Sequence, residues 1–236
     1  MFKKLLFIVL SLLIMTSCQN EQLHMDQKPD INPKDVKLET SSANGFIIEQ
    51  DNDSVFHAAV AFKNTGKVPV RIKNVQLNVE SGEGTKLGTV TPLTSTPVIL
   101  KPGEVSIAGG TAPANQTLSS DEFGKVEVKV DYEPTTQQRS EWEISDIHGE
   151  ETPYGYMVTG KAKNTTKEKV DEVYVTVGLF NDNDYILAAL TSYVEGPINP
   201  GETVDFQTVD YFHVPKYILD KVDHIEAKAI GFKEEE

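Results

Sequence analysis

The chain has 236 residues, with 22 lysines and arginines against 36 aspartates and glutamates, a formal net charge of −14. So acidic a chain offers no basic footprint for nucleic acid, and its single cysteine excludes an internal disulfide. Whatever folds must be held together chiefly by apolar packing.

Met1-Phe2-Lys3-Lys4 carries two positive charges and leads into a largely apolar run, residues 5–15, that ends at Thr16-Ser17-Cys18. Charged start, apolar centre and small-residue site are the parts of an export signal. About 20 apolar residues are needed to cross a bilayer core, and this run is roughly half that. Residues 1–17 are therefore read as a cleaved signal peptide. Met15-Thr16-Ser17-Cys18 resembles the lipobox of bacterial lipoproteins, with Met15 standing where leucine is usual. That resemblance implies lipidation of Cys18, which becomes the first residue of the mature chain. It places the protein on the extracytoplasmic face of a bacterial cell membrane, or on the outer membrane of a two-membrane organism. Each buried methylene of an acyl chain contributes about 0.8 kcal/mol, so two or three chains anchor durably. Losing Lys3 and Lys4 leaves 20 basic groups against 36 acidic, or −16.

Residues 18–35, the cysteine and the stretch after it, hold two prolines and few apolar side chains. Such a composition buries too little surface to offset the entropy of ordering, so it is read as a flexible tether. As a coil of about 17 residues it reaches on the order of 20 to 25 Å.

The rest of the chain repeats itself. Phe56, Ala58, Val60 and Phe62 alternate and lead into Lys63-Asn64-Thr65-Gly66-Lys67. One hundred residues on, Tyr156, Val158, Gly160 and Ala162 alternate in the same phase and lead into Lys163-Asn164-Thr165-Thr166-Lys167. The match continues through Val75, Leu77 and Val79 with Val175, Val177 and Leu179. Leu100-Lys101-Pro102-Gly103-Glu104 then pairs with Ile198-Asn199-Pro200-Gly201-Glu202, and Val126, Val128 and Val130 with Ile225, Ala227 and Ala229. Strict alternation predicts strands with one buried face, and Asn-Thr-Gly and Pro-Gly-Glu are turn chemistry. The expected fold class is all-β: two tandem antiparallel sandwiches of six or seven strands each. Domain 1 covers residues 36–132, a polar linker residues 133–139, and domain 2 residues 140–233. Ile72 is out of phase with Val75, Leu77 and Val79, which predicts a bulge near Lys73-Asn74. The one helix expected lies within residues 215–223, with Tyr217, Ile218 and Val222 on one face.

In the second unit Val177-Gly178-Leu179-Phe180-Asn181 resembles the Phe-x-Leu-Tyr-Asp signature of the FxLYD domain, after a Gly-x-x-Lys-Asn strand and ahead of a Pro-Gly-Glu turn. The match is by residue type, since Val177, Phe180 and Asn181 replace the family's phenylalanine, tyrosine and aspartate. It covers residues 152–210, and the first unit only through the repeat. The resemblance implies an immunoglobulin-like sandwich on a secreted or lipid-anchored bacterial protein, with no common catalytic activity.

Candidate chemistry is sparse. Cys18 is assigned to lipid, no Gly-x-Ser-x-Gly elbow occurs, and His24, His57, His148, His213 and His224 are scattered, so no catalytic residue is assigned. His57 is out of phase with Phe56 and Ala58 and is expected at solvent or a sheet edge. Asn181-Asp182-Asn183-Asp184 and Asp51-Asn52-Asp53 are oxygen-rich, which makes Asp182 and Asp184 weak calcium candidates. The competing reading is an Asx turn, as the helical calcium loop's glycine and glutamate are missing. Asp210 with His213, or Asp223 with His224, supplies only two ligands for zinc or copper, which needs three or four. Tyr185, Tyr193, Tyr211, Phe212 and Tyr217 are either a partner-binding patch or core filling.

The leading expectation is a lipid-anchored, non-enzymatic lipoprotein that binds or spaces another extracytoplasmic protein or envelope component, without a cofactor or nucleic acid. The alternative is a ligand- or calcium-binding receptor component for transport or sensing, with a tyrosine-lined cleft between the domains.

Overall fold

The computed structural model describes residues 31–50, 53–139, 141–153, 155–208 and 214–233. The signal segment, Cys18, His24, Asp51, Asn52, Asp210, Tyr211, Phe212 and His213 lie outside them. All described residues fall within one compact unit, Ile31–Glu236.

That unit is nearly all strand, and every strand pairing in it is antiparallel. The first half of the chain supplies β1 (Leu38–Glu49), β2 (Ser54–Asn64), β3 (Val70–Ser81), β4 (Lys86–Val90), β5 (Ile99–Leu100), β6 (Val105–Pro113) and β7 (Phe123–Pro134). The second half supplies β8 (Trp142–Thr152), β9 (Gly155–Asn164), β10 (Val170–Phe180), β11 (Ile186–Ile198), β12 (Thr203–Gln207), a short helix α1 (Lys216–Leu219) and β13 (His224–Phe232).

The strands pair in the same pattern twice. In the first half β1-β2-β6 make one sheet, while β3 carries β7 on one side and β4 and β5 on the other. In the second half β8-β9-β12 make one sheet and β11-β10-β13 the other. Each pair of sheets closes over an apolar core, the sandwich-like arrangement that alternation predicts. Phe56, Ala58, Val60 and Phe62 meet Val70, Leu77 and Val79 in the first core. Val158, Ala162 and Phe206 meet Val173, Val175, Val177 and Leu179 in the second. The expected bulge is present: the β3–β7 register breaks between Ile72 and Asn74, which returns Val75, Leu77 and Val79 to the buried face.

The turns repeat as faithfully. Asn64 and Asn164 are fully buried where the second strand of each half ends. Gly103 and Gly201 of the two Pro-Gly-Glu turns have φ of 84° and 81°, a left-handed conformation glycine adopts without a steric penalty.

Two expectations need correction. Alternation along β2 predicts one buried face, yet both are covered: Ala59 and Ala61 are as buried as Ala58 and Val60. The reason is that the β1-β2-β6 sheet packs its second face on the β11-β10-β13 sheet. There Ala59, Ala61 and Ile107 form a third cluster with Phe180, Ile186 and Ala189. Four sheets are thus layered, and the central strands of the two inner ones, β2 and β10, are buried on both sides. Small side chains allow the close approach: a Cβ on Gly109 would stand 2.6 Å from that of Ala189. In the segment around α1, Ile218 is buried and Leu219 and Val222 pack on the second core, but Tyr217 points away and is 51% exposed.

The segments at either end of the first half are held down. Asn32 caps a 3-10 turn, Pro33–Asp35, whose Asp35 carbonyl accepts from Lys67 N–H at 2.8 Å. Beyond β7, Thr135 N–H donates to Pro69 O at 3.0 Å, and Arg139 pairs with Glu104 at 2.6 Å. Arg139 and Glu104 side chains are only 22% and 29% exposed.

Candidate interaction surfaces

His57 sits at the join of the two halves. It faces the second half because it shares its side of β2 with Ala59 and Ala61, and it is 3% exposed. Its ring stacks on Phe46 at 4.6 Å and 11°, and its Nε2 accepts from Ala189 N–H at 3.2 Å. The expected solvent or edge position is therefore wrong, because the face counted as outer is covered by β11. Other polar groups cross the same join. Ser42 Oγ accepts from Ile186 N–H at 3.0 Å, Asn44 Nδ2 donates to Leu187 O at 2.8 Å, and Thr96 and Thr176 hydroxyls meet at 2.8 Å.

The tyrosine candidates are dispersed among these elements. Tyr185 is 42% exposed and donates its hydroxyl to Ala43 O, so it serves the join. Tyr193, 47% exposed, lies eight residues further along β11, on the order of 25 Å away. It meets Tyr174 edge-on at 6.4 Å and 68°. Burial pushes the Tyr174 phenol above its ordinary value. Tyr217 carries the Lys221 ammonium 6.0 Å from its ring centroid, and burial, then the Asp121 carboxylate, raises its phenol. Among the described candidates, the structure brings no two into contact.

The Asx cluster is a tight turn between β10 and β11. Asn181 Oδ1 accepts from the N–H groups of Asn183 and Tyr185, both at 3.0 Å, and Asp184 takes a φ of 55°. Asp182 Oδ1 is engaged by Asn183 Nδ2 at 2.7 Å. Asp184 lies 3.5 Å from His224 Nε2, whose ring stacks on Phe180. Asp223 is 3.4 Å from His224 Nδ1. Among the described residues no three His, Cys, Asp or Glu side chains are grouped to hold a metal ion. His148 lies on β8 opposite Thr159 and is exposed.

Two concave places occur among the described residues, of which the sequence led us to expect only a cleft between the domains. One, about 490 Å³, lies where the two halves meet and is lined by Glu104, Arg139, Glu141, Trp142 and Lys228 among others. None of the described candidates, Tyr185, Tyr193 and Tyr217, lines it. Trp142 Nε1 is buried without an acceptor among the described residues. The other, about 430 Å³, runs along β3 beside residues 91–95. The sequence signal for the join was the near-unbroken apolar run Val55-Phe56-His57-Ala58-Ala59-Val60-Ala61-Phe62, since strands buried on both faces lose their alternation.

No helix among the described residues is long and apolar enough to cross a membrane. The motif residues Val177 and Leu179 fill the second core, while Phe180 faces the first half. Compared with known proteins, the chain matches no family model and no curated protein.

Proposed function

We propose that this chain is an extracytoplasmic lipoprotein, lipidated at Cys18, whose two immunoglobulin-like repeats act as one non-enzymatic binding module for another extracytoplasmic protein or envelope component. The observation that carries this reading is the join between the halves. Ala59, Ala61 and Ile107 against Phe180, Ile186 and Ala189 fix the repeats to each other through apolar contact, instead of leaving them as independent beads. A compact module beyond a lipidated tether holds its outer sheets and concave places at a set mutual spacing. That suits recognition of a large partner. The FxLYD-like residues of β10 act here as packing groups.

A second reading is favoured by the cavity where the halves meet. Its 490 Å³ falls in the size range of small-ligand sites, and Glu104, Arg139, Glu141 and Lys228 line it with charges of both signs. This is the receptor-component alternative.

Two measurements test the first reading. Metabolic labelling with a fatty acid should mark the wild-type chain and vanish in Cys18→Ala; label that persists refutes the anchor. Crosslinking in intact cells followed by pulldown should recover a protein or envelope partner. Recovery of none, beside clear thermal stabilisation by a metabolite or calcium, would shift the conclusion to the receptor.

A further inference from the structure

The two halves share a topology, but the strand that β11 forms in the second half is interrupted in the first. In the second half β11 runs unbroken for 13 residues and pairs with β10 along its length. Its counterpart in the first half is split. β4 pairs with residues 77–80 of β3 and β5 with Val70 and Arg71, while Ile72 N–H donates to Val98 O at 2.9 Å. Between them, residues 91–97 leave the sheet and cross to β6. There Thr96 and Ile107 exchange both backbone hydrogen bonds, at 2.8 and 3.0 Å.

Residues 73–76 of β3 are consequently left without a neighbouring strand on that edge among the described residues. The cavity of about 430 Å³ opens along this stretch, between residues 72–76 and residues 91–95, and reaches across β3 to residues 129–131 of β7. Lys73, Asn74 and Gln76 are exposed in it, and the β-bulge sits at its end. At its rim stands Leu93, 73% exposed, the most exposed large hydrophobic residue described.

Unpaired ladder groups inside a sheet are a template for one more strand. From Ile72 to Leu77 is five steps, about 16 Å at roughly 3.3 Å each, enough for about four extended residues. The second half displays the fitting occupant: at the matching place Glu172, Val173, Tyr174, Val175 and Thr176 pair with Glu195, Val194, Tyr193, Ser192 and Thr191. The charges beside the gap are largely matched, Lys73 to Glu133 at 2.6 Å and Lys129 to Glu127 at 3.5 Å. The chain as a whole carries −14, which selects against an acidic occupant.

We propose that the gap between β4 and β5 is a slot for an extended, neutral or basic peptide segment of a partner protein, which adds to β3 as a short strand and sets an apolar side chain against Leu93. The proposal rests on the binding-module reading and names where and how that binding occurs. Backbone pairing supplies the affinity and the Leu93 rim the preference.

The probe is a synthetic peptide of residues 188–194 (Ala-Ala-Leu-Thr-Ser-Tyr-Val), an uncharged stretch whose residues 191–194 fill the matching place in the second half, with a terminal lysine for solubility. It is added to the full chain in mild detergent and followed by amide hydrogen exchange. Exchange within residues 73–76 should slow at least about tenfold at saturation, and the same peptide N-methylated at alternate amides should give no protection. Leu93→Asp, an exposed substitution that leaves the fold intact, should weaken the peptide by about tenfold. No protection of residues 73–76, or equal binding of the N-methylated peptide, overturns the slot. In cells, a partner recovered equally well with wild type and Leu93→Asp would also refute the slot while leaving the binding-module reading standing. Slot protection by the peptide with no partner recovered in cells would uphold the slot and count against that reading.

Discussion

Asn64 and Asn164, one hundred residues apart, make the same five hydrogen bonds. The Asn64 amide donates to Val68 O and Leu100 O and accepts from Gly66 N–H, while its backbone bonds Glu104 O and Gly103 N–H. The Asn164 amide donates to Glu168 O and Ile198 O and accepts from Thr166 N–H, while its backbone bonds Glu202 O and Gly201 N–H. One side chain thus ties the Asn-Thr turn of each half to its Pro-Gly-Glu turn. Alanine at either position leaves carbonyls and an N–H without partners, at a cost of about 2 to 4 kcal/mol. Urea denaturation of Asn64→Ala and Asn164→Ala should give losses of similar size; a change under about 0.5 kcal/mol at either site would refute its structural role.

At the join, His57 supplies both a stacked ring and an acceptor. His57→Phe keeps the apolar stack on Phe46 but leaves Ala189 N–H without its Nε2 partner. The expected loss is about 1 to 3 kcal/mol, read as a lower urea midpoint. An unchanged midpoint would mean that the Ala189 bond contributes nothing.

The closeness of the inner sheets gives a steric prediction. A valine at Gly109 must push Ala189 and the Ala58 carbonyl apart, since even a Cβ would lie 2.6 and 2.9 Å from them. Gly109→Val should cost about 1 to 3 kcal/mol or more. Gly110→Ala, whose Cβ meets only a Val90 methyl at 3.8 Å, should be nearly neutral by comparison in the same melt.

Acid should weaken the fold through a few bonded carboxylates. The Ser120 backbone N–H, 2.7 Å from Glu49, is the main cause that holds the Glu49 carboxyl below its ordinary 4.5. Glu39, Glu127 and Glu141 are lowered in turn by Lys37, Asn78 and Lys101. A folded-state pKa below the unfolded value gives stability that is present above pH 4.5 and lost as pH falls through the folded value. The melting temperature should therefore hold between pH 7 and 5 and drop below 4.5. Glu49→Gln should lessen that drop, and a drop of unchanged size would remove Glu49 from the explanation.

Much of the fold was legible because alternation and turn chemistry are local. Phe56, Ala58, Val60 and Phe62, the Pro-Gly-Glu turns and the slip at Ile72 each declare a strand, a turn or a bulge within a few residues. The layering of the halves was not, because it depends on which two sheet faces meet. Ala59, Ala61 and Ala189 are small enough to pass for surface positions, and His57 reads as polar until β11 covers it. The slot along β3 depends on residues 91–97 crossing to β6. Thr91-Pro92-Leu93-Thr94-Ser95 reads only as a loop, with nothing in it to say that a strand is interrupted.

The central claim, that the repeats form one unit through the Ala59–Ala61–Ala189 join, is tested by urea unfolding of the full chain followed at Trp142. That single tryptophan belongs to the second half and packs on its core. Ala61→Asp, a first-half substitution at a site 2% exposed, buries an unpaired charge and should cost about 3 kcal/mol or more. One transition is expected, with a Trp142 midpoint that falls with the substitution. A Trp142 midpoint unmoved by Ala61→Asp, with a separate earlier transition in circular dichroism, would show that the halves unfold independently and contradict the claim.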